Sequence, residues 1–271
     1  MVVPVELSVV VPTFRRPDEL KIALASVLRQ SGTSLEVIVV DDSPEGSAEA
    51  AVKEVADSRV SYIKNPKPTG GRPSVVRNLG FSKASGALIH FLDDDDIVPD
   101  GHYEAVKAAF AESPDVGVVF GRIEPFGDDP ALVGHESAYF SRAARRARRC
   151  RWFGPKLGFS AHMLFHQSII TCSAAVIRRD CVEAVGGFDP DVPINEDLDF
   201  YARAIRRFGA RFLDRVVLHY RIGRNSLARN PHVDAQLQQS YVRIQEKYRR
   251  EWGWADFLVT KTLARIVFRM L

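Results

Sequence analysis

The sequence predicts an α/β fold in which one mostly parallel sheet is covered by helices on both faces. The first observation is a β-α-β unit at the start of the chain: two short runs rich in β-branched residues, Leu7–Val11 and Leu35–Val40, flank a stretch with helical apolar spacing that opens at Pro17. The second is that strand-like and helix-like segments continue to alternate after this unit. Near-continuous apolar strands separated by helices are typical of a parallel sheet that is buried on both faces.

The remaining elements follow this alternation for most of the chain. Further strands are predicted near Val60–Ile63, Ala87–Leu92, Val116–Phe120, Ile169–Ile177 and Arg211–Leu218. Further helices are predicted near Ser47–Ala56, Ser74–Ala84 and Arg179–Val185, from Glu196 onward, and from Val233 to the end. The stretch between residue 120 and about residue 167 shows no regular pattern. We therefore expect one large domain over residues 1–230 and a helical extension over residues 231–271.

The composition is that of an ordinary globular protein. With 271 residues, 46% of them hydrophobic and 26% charged, the chain is long enough for one large domain with an appendage. Its three cysteines lie far apart without a CxxC pair, which argues against a disulfide framework or a zinc ribbon and fits a reducing cytoplasm. Met1 leads into an apolar run without the basic region of a signal peptide, and no run reaches the roughly 20 apolar residues of a membrane-spanning helix. We expect a cytoplasmic protein that is soluble or peripheral on the inner face of the membrane.

Polar clusters follow the ends of three predicted strands. Pro12-Thr13 follows the first strand, Asp41-Asp42 the second and Asp93–Asp96 a later one. Because ligands of such sheets bind beyond the carboxyl ends of the strands, we expect the three clusters to converge on one crevice. Four successive carboxylates repel one another unless a cation lies among them, and magnesium or manganese takes oxygen ligands of this kind, with phosphate oxygens completing the shell. The alternative is a solvated acidic loop or a cluster that caps a helix.

Six short motifs occur in an order that carries a family resemblance. They are Val-Pro-Thr-Phe-Arg-Arg at 11–16, Val-Val-Asp-Asp-Ser at 39–43, Arg-Asn at 77–78, Phe-Leu-Asp-Asp-Asp-Asp at 91–96, Gly-Gly-Phe-Asp at 186–189 and Glu-Asp at 196–197. In this combination the chain resembles the family 2 glycosyltransferases of GT-A fold, over roughly residues 6–225. The resemblance implies an inverting enzyme with a DxD motif that moves a sugar from a nucleotide-diphosphate donor onto a saccharide or lipid-linked acceptor. Residues 1–120 would then form the nucleotide-sugar half, and residues 121–230 the acceptor and catalytic-base half.

The resemblance also implies a set of donor-site residues. A UDP-, TDP- or GDP-sugar would be held by residues at the strand ends and by one arginine, namely Pro12, Thr13, Asp41, Asp42, Arg77, Asp93 and Asp94. Asp93 and Asp95 would form the DxD pair, with Asp95 the direct ligand of a Mn or Mg divalent cation. An aspartate can accept the imide N–H of a uracil or thymine ring, and the metal would neutralise the leaving diphosphate. The alternatives are helix capping for Asp41 and Asp42 and a surface salt bridge for Arg77.

The Glu-Asp pair at 196–197 matches the family's catalytic carboxylate. The resemblance implies that Asp197 takes the proton from the acceptor hydroxyl, and a positioned base of this kind contributes about 10²- to 10⁴-fold to the rate. The acceptor is expected near Glu196, Trp152 and Gly187. The alternative is that the acids at 196, 197 and 199 are first-turn residues favoured by the helix dipole.

One position departs from the family pattern. Family members often have Tyr-Arg-x-His after the last strand, whereas Tyr220-Arg221-Ile222 is followed here by Gly223. Arg221 or Arg224 is the candidate to neutralise the donor phosphates instead, with His219 close by in the sequence. The third metal ligand is left open by this substitution.

Two basic segments bear on the partners of the chain. Arginines crowd Arg142–Arg151 directly before Trp152, which indicates a solvated helix face, a site for a phosphate-bearing acceptor, or contact with an anionic membrane surface; nucleic acid is not expected. Near the C-terminus, Lys261, Arg265 and Arg269 recur every four residues and form one stripe of a helix. Such a basic amphipathic helix lies in a membrane interface, or it packs on the catalytic domain or on another subunit.

Two other functions fit parts of the pattern. A sugar-phosphate nucleotidyltransferase shares a strand-end metal site, but such enzymes usually carry a glycine-rich loop directly after the first strand, and Pro12–Arg16 contains no glycine. A non-catalytic scaffold that binds nucleotide sugar or glycan is disfavoured by the presence of both Asp95 and Asp197. The favoured function is transfer of a sugar in cell-envelope or exopolysaccharide synthesis.

Overall fold

The structure, a computed structural model, describes residues 4–166, 168–223 and 234–269. Within this part of the chain, seven strands form one sheet. They are β1 (Leu7–Thr13), β2 (Leu35–Asp41), β3 (Val60–Lys64), β4 (Leu88–Phe91), β5 (Val118–Phe126), β6 (Ala175–Arg178) and β7 (Ala210–Arg221). The helices are α1 (Pro17–Leu28), α2 (Glu49–Val55), α3 (Pro73–Phe81), α4 (His102–Glu112), α5 (Pro130–Cys150), α6 (Phe159–Phe165), α7 (Arg179–Val185), α8 (Glu196–Phe208) and α9 (Asp234–Arg269).

The sheet is mostly parallel, as the sequence predicts. Its strand order is β3-β2-β1-β4-β6-β5-β7. β1 pairs in parallel with β2 and β4, β2 with β3 and β5 with β7, whereas β6 runs antiparallel to both β4 and β5. The predicted fold class is confirmed, with this one antiparallel strand in the middle. Because β1 lies between β2 and β4, the strand order reverses beside it, and such a switch point opens a crevice at the carboxyl ends of the strands.

Alternate side chains of β1 enter two separate cores, one on each face of the sheet. Val10 belongs to the core that also contains Phe91 of β4 and Phe200 of α8. Val9 belongs to the opposite core, which contains Leu24 of α1. All five side chains are fully buried. Burial on both faces explains the continuous apolar runs of the strands, and each such side chain stabilises the fold by about 1.5–3 kcal/mol.

The stretch without a regular pattern in the sequence contains α5, a helix of 21 residues. The Asp129 side chain caps this helix by accepting hydrogen bonds from the backbone N–H groups of Ala131 (3.0 Å) and Leu132 (3.2 Å). Most of its buried positions are small residues: Phe140, Ala143, Ala144, Ala147 and Cys150. Alanines give a weak hydrophobic signal among many arginines, so the periodicity of the helix is easily overlooked.

The predicted strand Ile169–Ile177 is shorter in the structure. Only its last part belongs to β6, and a 3₁₀ turn, Cys172–Ala174, precedes it. The carbonyl oxygen of Cys172 accepts a hydrogen bond from the Tyr201 hydroxyl (3.1 Å) instead of pairing with a neighbouring strand. The segment is therefore apolar and buried without being a strand over its whole length.

The C-terminal helix α9 packs on α6, is hydrogen-bonded to α8 and bends at Gly253, which has a φ of +83°. Arg224 and the expected boundary between residues 230 and 231 lie outside the described residues, as does the side chain of Arg269. In the described part of the chain, no helix combines the length with the apolar character that a membrane crossing requires.

Candidate active site

The carboxyl ends of β1, β2 and β4 meet at one edge of the sheet. Thr13 at the end of β1 stands opposite Asp41 in the parallel ladder, and its backbone oxygen accepts a hydrogen bond from Asp42 N at 2.9 Å. The Thr13 hydroxyl also donates to Asp94 Oδ2 at 2.7 Å, in the turn that follows β4. Pro12, which precedes Thr13, is partly buried. The predicted convergence of the three polar clusters is therefore confirmed.

Asp41 and Asp42 hold the turns at this edge. Asp41 is fully buried: Oδ1 accepts from the Ser43 backbone N–H (2.9 Å) and hydroxyl (2.6 Å), and Oδ2 accepts from Ala48 N (2.8 Å) at the start of α2. The bond to Ala48 is the contact that the helix-capping alternative predicts for Asp41. Asp42 instead accepts from the Thr69 backbone N–H (2.9 Å) and hydroxyl (2.7 Å), which fixes the loop before α3. A direct contact of either aspartate with a nucleotide stays a prediction.

The four aspartates after β4, called here the acidic turn (Asp93–Asp96), are poorly neutralised. Burial raises the pKa of Asp94 to about 7, although the hydrogen bond from Thr13 opposes the shift. Burial and the neighbouring Asp93 carboxylate raise the pKa of Asp95, and they raise that of Asp96 well above its usual value. Among the described residues, buried Asp96 Oδ2 has no hydrogen-bond partner. The surrounding protein therefore stabilises the charged forms of these carboxyl groups poorly.

Arg16 and Arg221 supply part of the missing positive charge. Arg16 Nη1 lies 2.6 Å from Asp95 Oδ2 and 3.3 Å from Asp94 Oδ1. Sequence reasoning missed this contact, although the place of Arg16 just after β1, at the edge where the clusters converge, could have indicated it. On the other side, the Arg221 backbone N–H donates to Asp96 Oδ1 (3.0 Å), and its Nε donates to Asp95 O (3.1 Å). Arg221 thus lies at the acidic turn, and its role toward phosphate stays a prediction.

Arg77 links the acidic turn to the second half of the site. Its Nη2 lies 2.7 Å from Asp93 Oδ1, and its Nη1 lies 2.7 Å from Glu196 Oε1. The guanidinium also sits over the Phe188 ring, 5.3 Å from the centroid. The Arg77 side chain is only 5% exposed, so these ion pairs are buried rather than on the surface, where the salt-bridge alternative placed them. A contact of Arg77 with the donor stays a prediction.

Asp197 lies in the first turn of α8, beside Glu196. Burial and the adjacent Glu196 carboxylate raise the pKa of Asp197 to about 7, while Arg77 opposes the shift and Asp93 adds to it. The influence of Asp93 means that Asp197 and the acidic turn share one electrostatic environment. A helix dipole favours the charged form of a first-turn acid, so the dipole alternative does not account for the raised pKa. A carboxylate with a pKa near neutrality is suited to accept a proton as a general base.

The turn Gly186-Gly187 packs against α3. Both glycines have positive φ, +76° and +72°, in the left-handed region that favours glycine, and a Cβ on Gly187 would lie 2.6 Å from Asn78 Oδ1. Asn78 in turn accepts from Phe188 N (2.9 Å) and donates to Phe188 O (2.7 Å). Gly187 therefore borders the helix that carries the arginine bridge, whereas Trp152 is 65% exposed in the short turn after α5. Acceptor contacts of Gly187 and Trp152 stay predictions.

The acidic turn offers oxygen ligands for a hard divalent cation without forming a complete cage. Among residues 4–166, 168–223 and 234–269, no group of three or more His, Cys, Asp or Glu side chains is arranged to hold a metal ion. The raised pKa values of Asp95 and Asp96 and the unpartnered Asp96 Oδ2 nevertheless indicate carboxyl groups whose charged forms a bound cation would stabilise. Magnesium is often held by one or two carboxylates with phosphate oxygens completing its shell. The residues present therefore fit such an ion together with the phosphates of a ligand.

Comparison with known proteins relates the chain to one family. The model of the family described as Glycosyl transferase family 2 matches residues 8–186. A GalNAc(5)-diNAcBac-PP-undecaprenol beta-1,3-glucosyltransferase from Campylobacter jejuni is 38% identical over 98 residues, which are 35% of this chain and 31% of that protein. The chain thus spans about a third of the length of that relative.

Two solved structures share the fold. Residues 1–349 of S. aureus TarS, in complex with UDP-GlcNAc, align with a TM-score of 0.63 and 16% identity over 90% of this chain and 66% of that chain. The mannosyltransferase PcManGT from Pyrobaculum calidifontis, in complex with GDP-Man and Mn²⁺, aligns with a TM-score of 0.65 and 18% identity over 98% of this chain and 72% of that chain. At these identities the likeness establishes the fold, which is the GT-A fold. Since the family model also matches well over half of the sequence, the chain belongs to glycosyl transferase family 2.

Proposed function

We propose that this chain is an inverting glycosyltransferase that moves a sugar from a nucleotide-diphosphate donor onto a saccharide or lipid-linked acceptor. The observation that carries the proposal is the place of Asp197, with its pKa of about 7, across the buried Arg77 bridge from the acidic turn. A base for the acceptor hydroxyl and a site that stabilises a leaving diphosphate are the two things that such a transfer needs. Family membership and the name of the Campylobacter jejuni relative support the same activity, with cell-envelope or exopolysaccharide synthesis as its setting.

The donor nucleotide is proposed to bind at the ends of β1 and β2, against Pro12, Thr13 and Asp42. Each carboxylate oxygen has two lone-pair sites. Asp42 Oδ1 already accepts from Asn65 Nδ2 (2.6 Å) and Thr69 N (2.9 Å), so the second site of Oδ2, which accepts from the Thr69 hydroxyl, is the one left for the imide N–H of a uracil or thymine ring. The two solved structures of the same fold hold UDP-GlcNAc and GDP-Man. UDP-, TDP- and GDP-sugars are therefore the donors to test.

Asp95 and Asp93 are the proposed ligands of a manganese or magnesium ion, with donor phosphates completing its shell. When bound, such an ion neutralises charge on the leaving diphosphate. Arg16 holds Asp95 at 2.6 Å and Arg77 holds Asp93 at 2.7 Å, so both carboxylates are oriented before the donor arrives. Arg221, at the same edge of the sheet, is the proposed third positive group facing the phosphates.

Asp197 is the proposed general base. It takes the proton of the acceptor hydroxyl while the hydroxyl oxygen forms a bond to the anomeric carbon. The bond from that carbon to the diphosphate oxygen breaks in the same step, and its electron pair leaves with the diphosphate. Because one base faces one leaving group, the attack comes from the opposite side and inverts the anomeric centre. Arg77 forms an ion pair with Glu196 at 2.7 Å, whereas burial raises the pKa of Asp197 to about 7.

Asp197→Asn tests the base directly. We expect the rate of sugar transfer to fall about 10²- to 10⁴-fold, because the amide cannot take the proton. Asp180→Asn is the matched control, since Asp180 is an exposed first-turn aspartate of α7 and should leave the rate unchanged. Equal rates for the parent and Asp197→Asn would contradict the assignment. NMR of the product should show an inverted anomeric centre, and release of pyrophosphate in place of a nucleoside diphosphate would instead indicate a nucleotidyltransferase.

Thermal unfolding with UDP, TDP, GDP and ADP, each with and without manganese, tests the donor site. A ligand at about 100 times its dissociation constant adds about 2.7 kcal/mol of stability, so the matching nucleotide should stand out. We expect a manganese-dependent rise in the unfolding temperature that is lost in Asp95→Ala. No rise with any nucleotide would contradict the donor site, and a rise without any sugar transfer would favour the scaffold alternative.

We further propose that the chain meets its acceptor as a peripheral protein on the inner face of the membrane. After the bend at Gly253, α9 exposes large apolar side chains on one face: Trp254 (60%), Leu258 (55%) and Ile266 (46%). Arg265, also exposed, follows Leu258 by seven residues, which is about two helical turns, and so lies on the same face. An apolar helix face that also carries a basic residue suits an anionic membrane surface.

Sedimentation with vesicles tests this surface. Leu258→Glu should weaken binding to vesicles that contain anionic lipid, because it places a negative charge in the apolar face. Val242→Glu is the matched control, since Val242 is 53% exposed on the part of α9 before the bend and should leave binding unchanged. Binding that is equal for both variants and for neutral vesicles would contradict the proposal.

A further inference from the structure

The segment that carries Asp197 is held by the C-terminal helix α9. Ser240 of α9 is 8% exposed, and its hydroxyl donates to the carbonyl oxygen of Ile194. The Asn195 side-chain amide donates to the carbonyl oxygen of Leu237 at 3.3 Å, in the first turn of α9. Both contacts fall on the two residues that directly precede the Glu-Asp pair. The helix that the sequence presents as an appendage therefore touches the start of the catalytic segment.

A second tie is made two residues after the base, at Asp199. Lys247 Nζ lies 2.6 Å from Asp189 Oδ2 and 3.1 Å from Asp199 Oδ2. The Asp199 side chain is only 2% exposed and also pairs with Arg203 at 2.7 Å. Asp189 ends the Gly-Gly-Phe-Asp motif, and Asp199 lies in the first turn of α8. Lys247 thus joins the two ends of the segment 189–199, which contains Asp197.

The backbone between these ties has an unusual conformation. Asn195 has a φ of +60°, a left-handed value that residues other than glycine adopt only uncommonly, asparagine among the most often. Its side chain does not cap α8, because it is turned toward Leu237. Two hydrogen bonds hold this residue: its backbone oxygen accepts from Asp199 N at 3.1 Å, and its side-chain amide donates to α9.

The helix α9 is itself fixed to the core on its other side. The Tyr241 hydroxyl donates to Met163 O at 2.9 Å, and the Gln245 amide donates to Leu164 O at 2.6 Å, both in α6. Met163 and Leu164 are at most 1% exposed. The ties to Ile194 and Asp199 are thus anchored to a rigid part of the protein.

We propose that Ser240 and Lys247 are positioning residues for Asp197: they hold the segment 189–199 so that the carboxylate meets the acceptor hydroxyl. The kinetic part of this proposal rests on the proposed function, in which Asp197 is the base. The proposed donor residues lie at the ends of β1 and β2, in the acidic turn and on α3, all outside this segment. Loss of either tie should therefore affect the chemical step and leave donor binding unchanged.

The kinetic test compares Ser240→Ala and Lys247→Met with the parent in the full chain. A displacement of about 1 Å at a reacting group costs about 100-fold in rate, so we expect kcat to fall about 10- to 100-fold while KM for the donor stays within twofold. Lys247→Arg should restore much of the rate, because it keeps the charge. Gln239→Ala and Arg250→Met, at exposed neighbouring positions, are the matched controls and should keep the parent kcat.

Hydrogen exchange provides a readout that does not depend on catalysis. In both variants, backbone amides of 190–199 should exchange at least tenfold faster than in the parent, while those of the acidic turn keep their rates. Parent-like exchange and kcat in both variants would overturn the proposal. A fall in kcat accompanied by equally faster exchange at the acidic turn would also overturn it, since the effect would then be general loosening. If the parent shows no sugar transfer at all, the proposed function fails, and the exchange experiment alone decides whether α9 holds the segment.

Discussion

Removing the charge of Arg77 tests whether the buried bridge holds the two halves of the site together. In Arg77→Met, the Glu196 carboxylate (13% exposed) and the Asp93 carboxylate (32% exposed) each lose an ion-pair partner at 2.7 Å. Breaking a buried pair by removing one partner costs about 3–5 kcal/mol, because the other charge is left unpaired inside the protein. Water can reach Asp93 in part, so we expect a loss of unfolding free energy at the lower end, about 3 kcal/mol.

Urea and thermal unfolding at neutral pH measure this loss. For a chain of roughly this size, 1 kcal/mol shifts the unfolding temperature by roughly 2–4 °C, so the expected shift is about 6–12 °C. Arg29→Met is the matched control: Arg29 Nε lies 2.6 Å from Asp100 Oδ1, but the two side chains are 48% and 82% exposed, and exposed pairs contribute about 0–1 kcal/mol. A loss in Arg77→Met no larger than that in Arg29→Met would refute the reasoning. Adding Glu196→Gln to Arg77→Met should recover part of the loss, because an unpaired amide costs less to bury than a carboxylate.

Three further predictions concern single positions of the site. The rate of transfer should fall as the pH drops below about 7, because protonation removes Asp197 as a base, and a flat pH–rate profile there would contradict this. Gly187→Ala should cost more unfolding free energy than Gly186→Ala. Both substitutions place alanine at positive φ, which costs about 1–2 kcal/mol, but only at position 187 would the added Cβ lie 2.6 Å from Asn78 Oδ1. Equal losses of unfolding free energy in urea would contradict this packing. The pKa of Asp94 is raised in the folded protein to about 7, so its contribution to stability is present at acidic pH and lost as the pH rises through 7. Without divalent cations, Asp94→Asn should therefore be more stable than the parent at alkaline pH but not at acidic pH, as measured by urea unfolding.

The first half of the fold could be predicted from the sequence because its strands are buried on both faces. β1 and β2 are continuous apolar runs, and the residues that end them are polar. The type and order of these elements, and the edge at which their ends meet, therefore follow from the pattern alone. The second half could be predicted less well. The core face of α5 consists mainly of alanines. The segment before β6 is apolar like a strand, but its Cys172 carbonyl oxygen accepts a hydrogen bond from the Tyr201 side chain. Local pattern does not reveal either arrangement, because tertiary contacts decide both.

The candidate site shows the same division. Convergence of the strand ends at Thr13 and Asp94 follows from the topology of a parallel sheet, and the structure confirms it. The bridge from Arg77 to Glu196 joins residues 119 positions apart, and no spacing rule predicts such a contact. The same holds for the ties from α9, which reach the segment around Asp197 from the end of the chain. The surroundings of Arg77 and Asp197 thus depend on burial and charge pairing in the folded protein, which residue types along the sequence do not reveal.

The antiparallel direction of β6 has a consequence for how the two halves of the sequence can vary. At the ligand-binding edge, each parallel strand contributes the residues that follow it. The antiparallel strand β6 contributes the residues that precede it. The entering residue Ser173 accepts a hydrogen bond from Asp93 N at 3.0 Å through its hydroxyl, so the route from α5 and α6 ends at the acidic turn. Changes of length between α6 and β6 would therefore shift a contact of the donor half. The residues around 168–174 thus connect the helices α5 and α6 directly to the acidic turn.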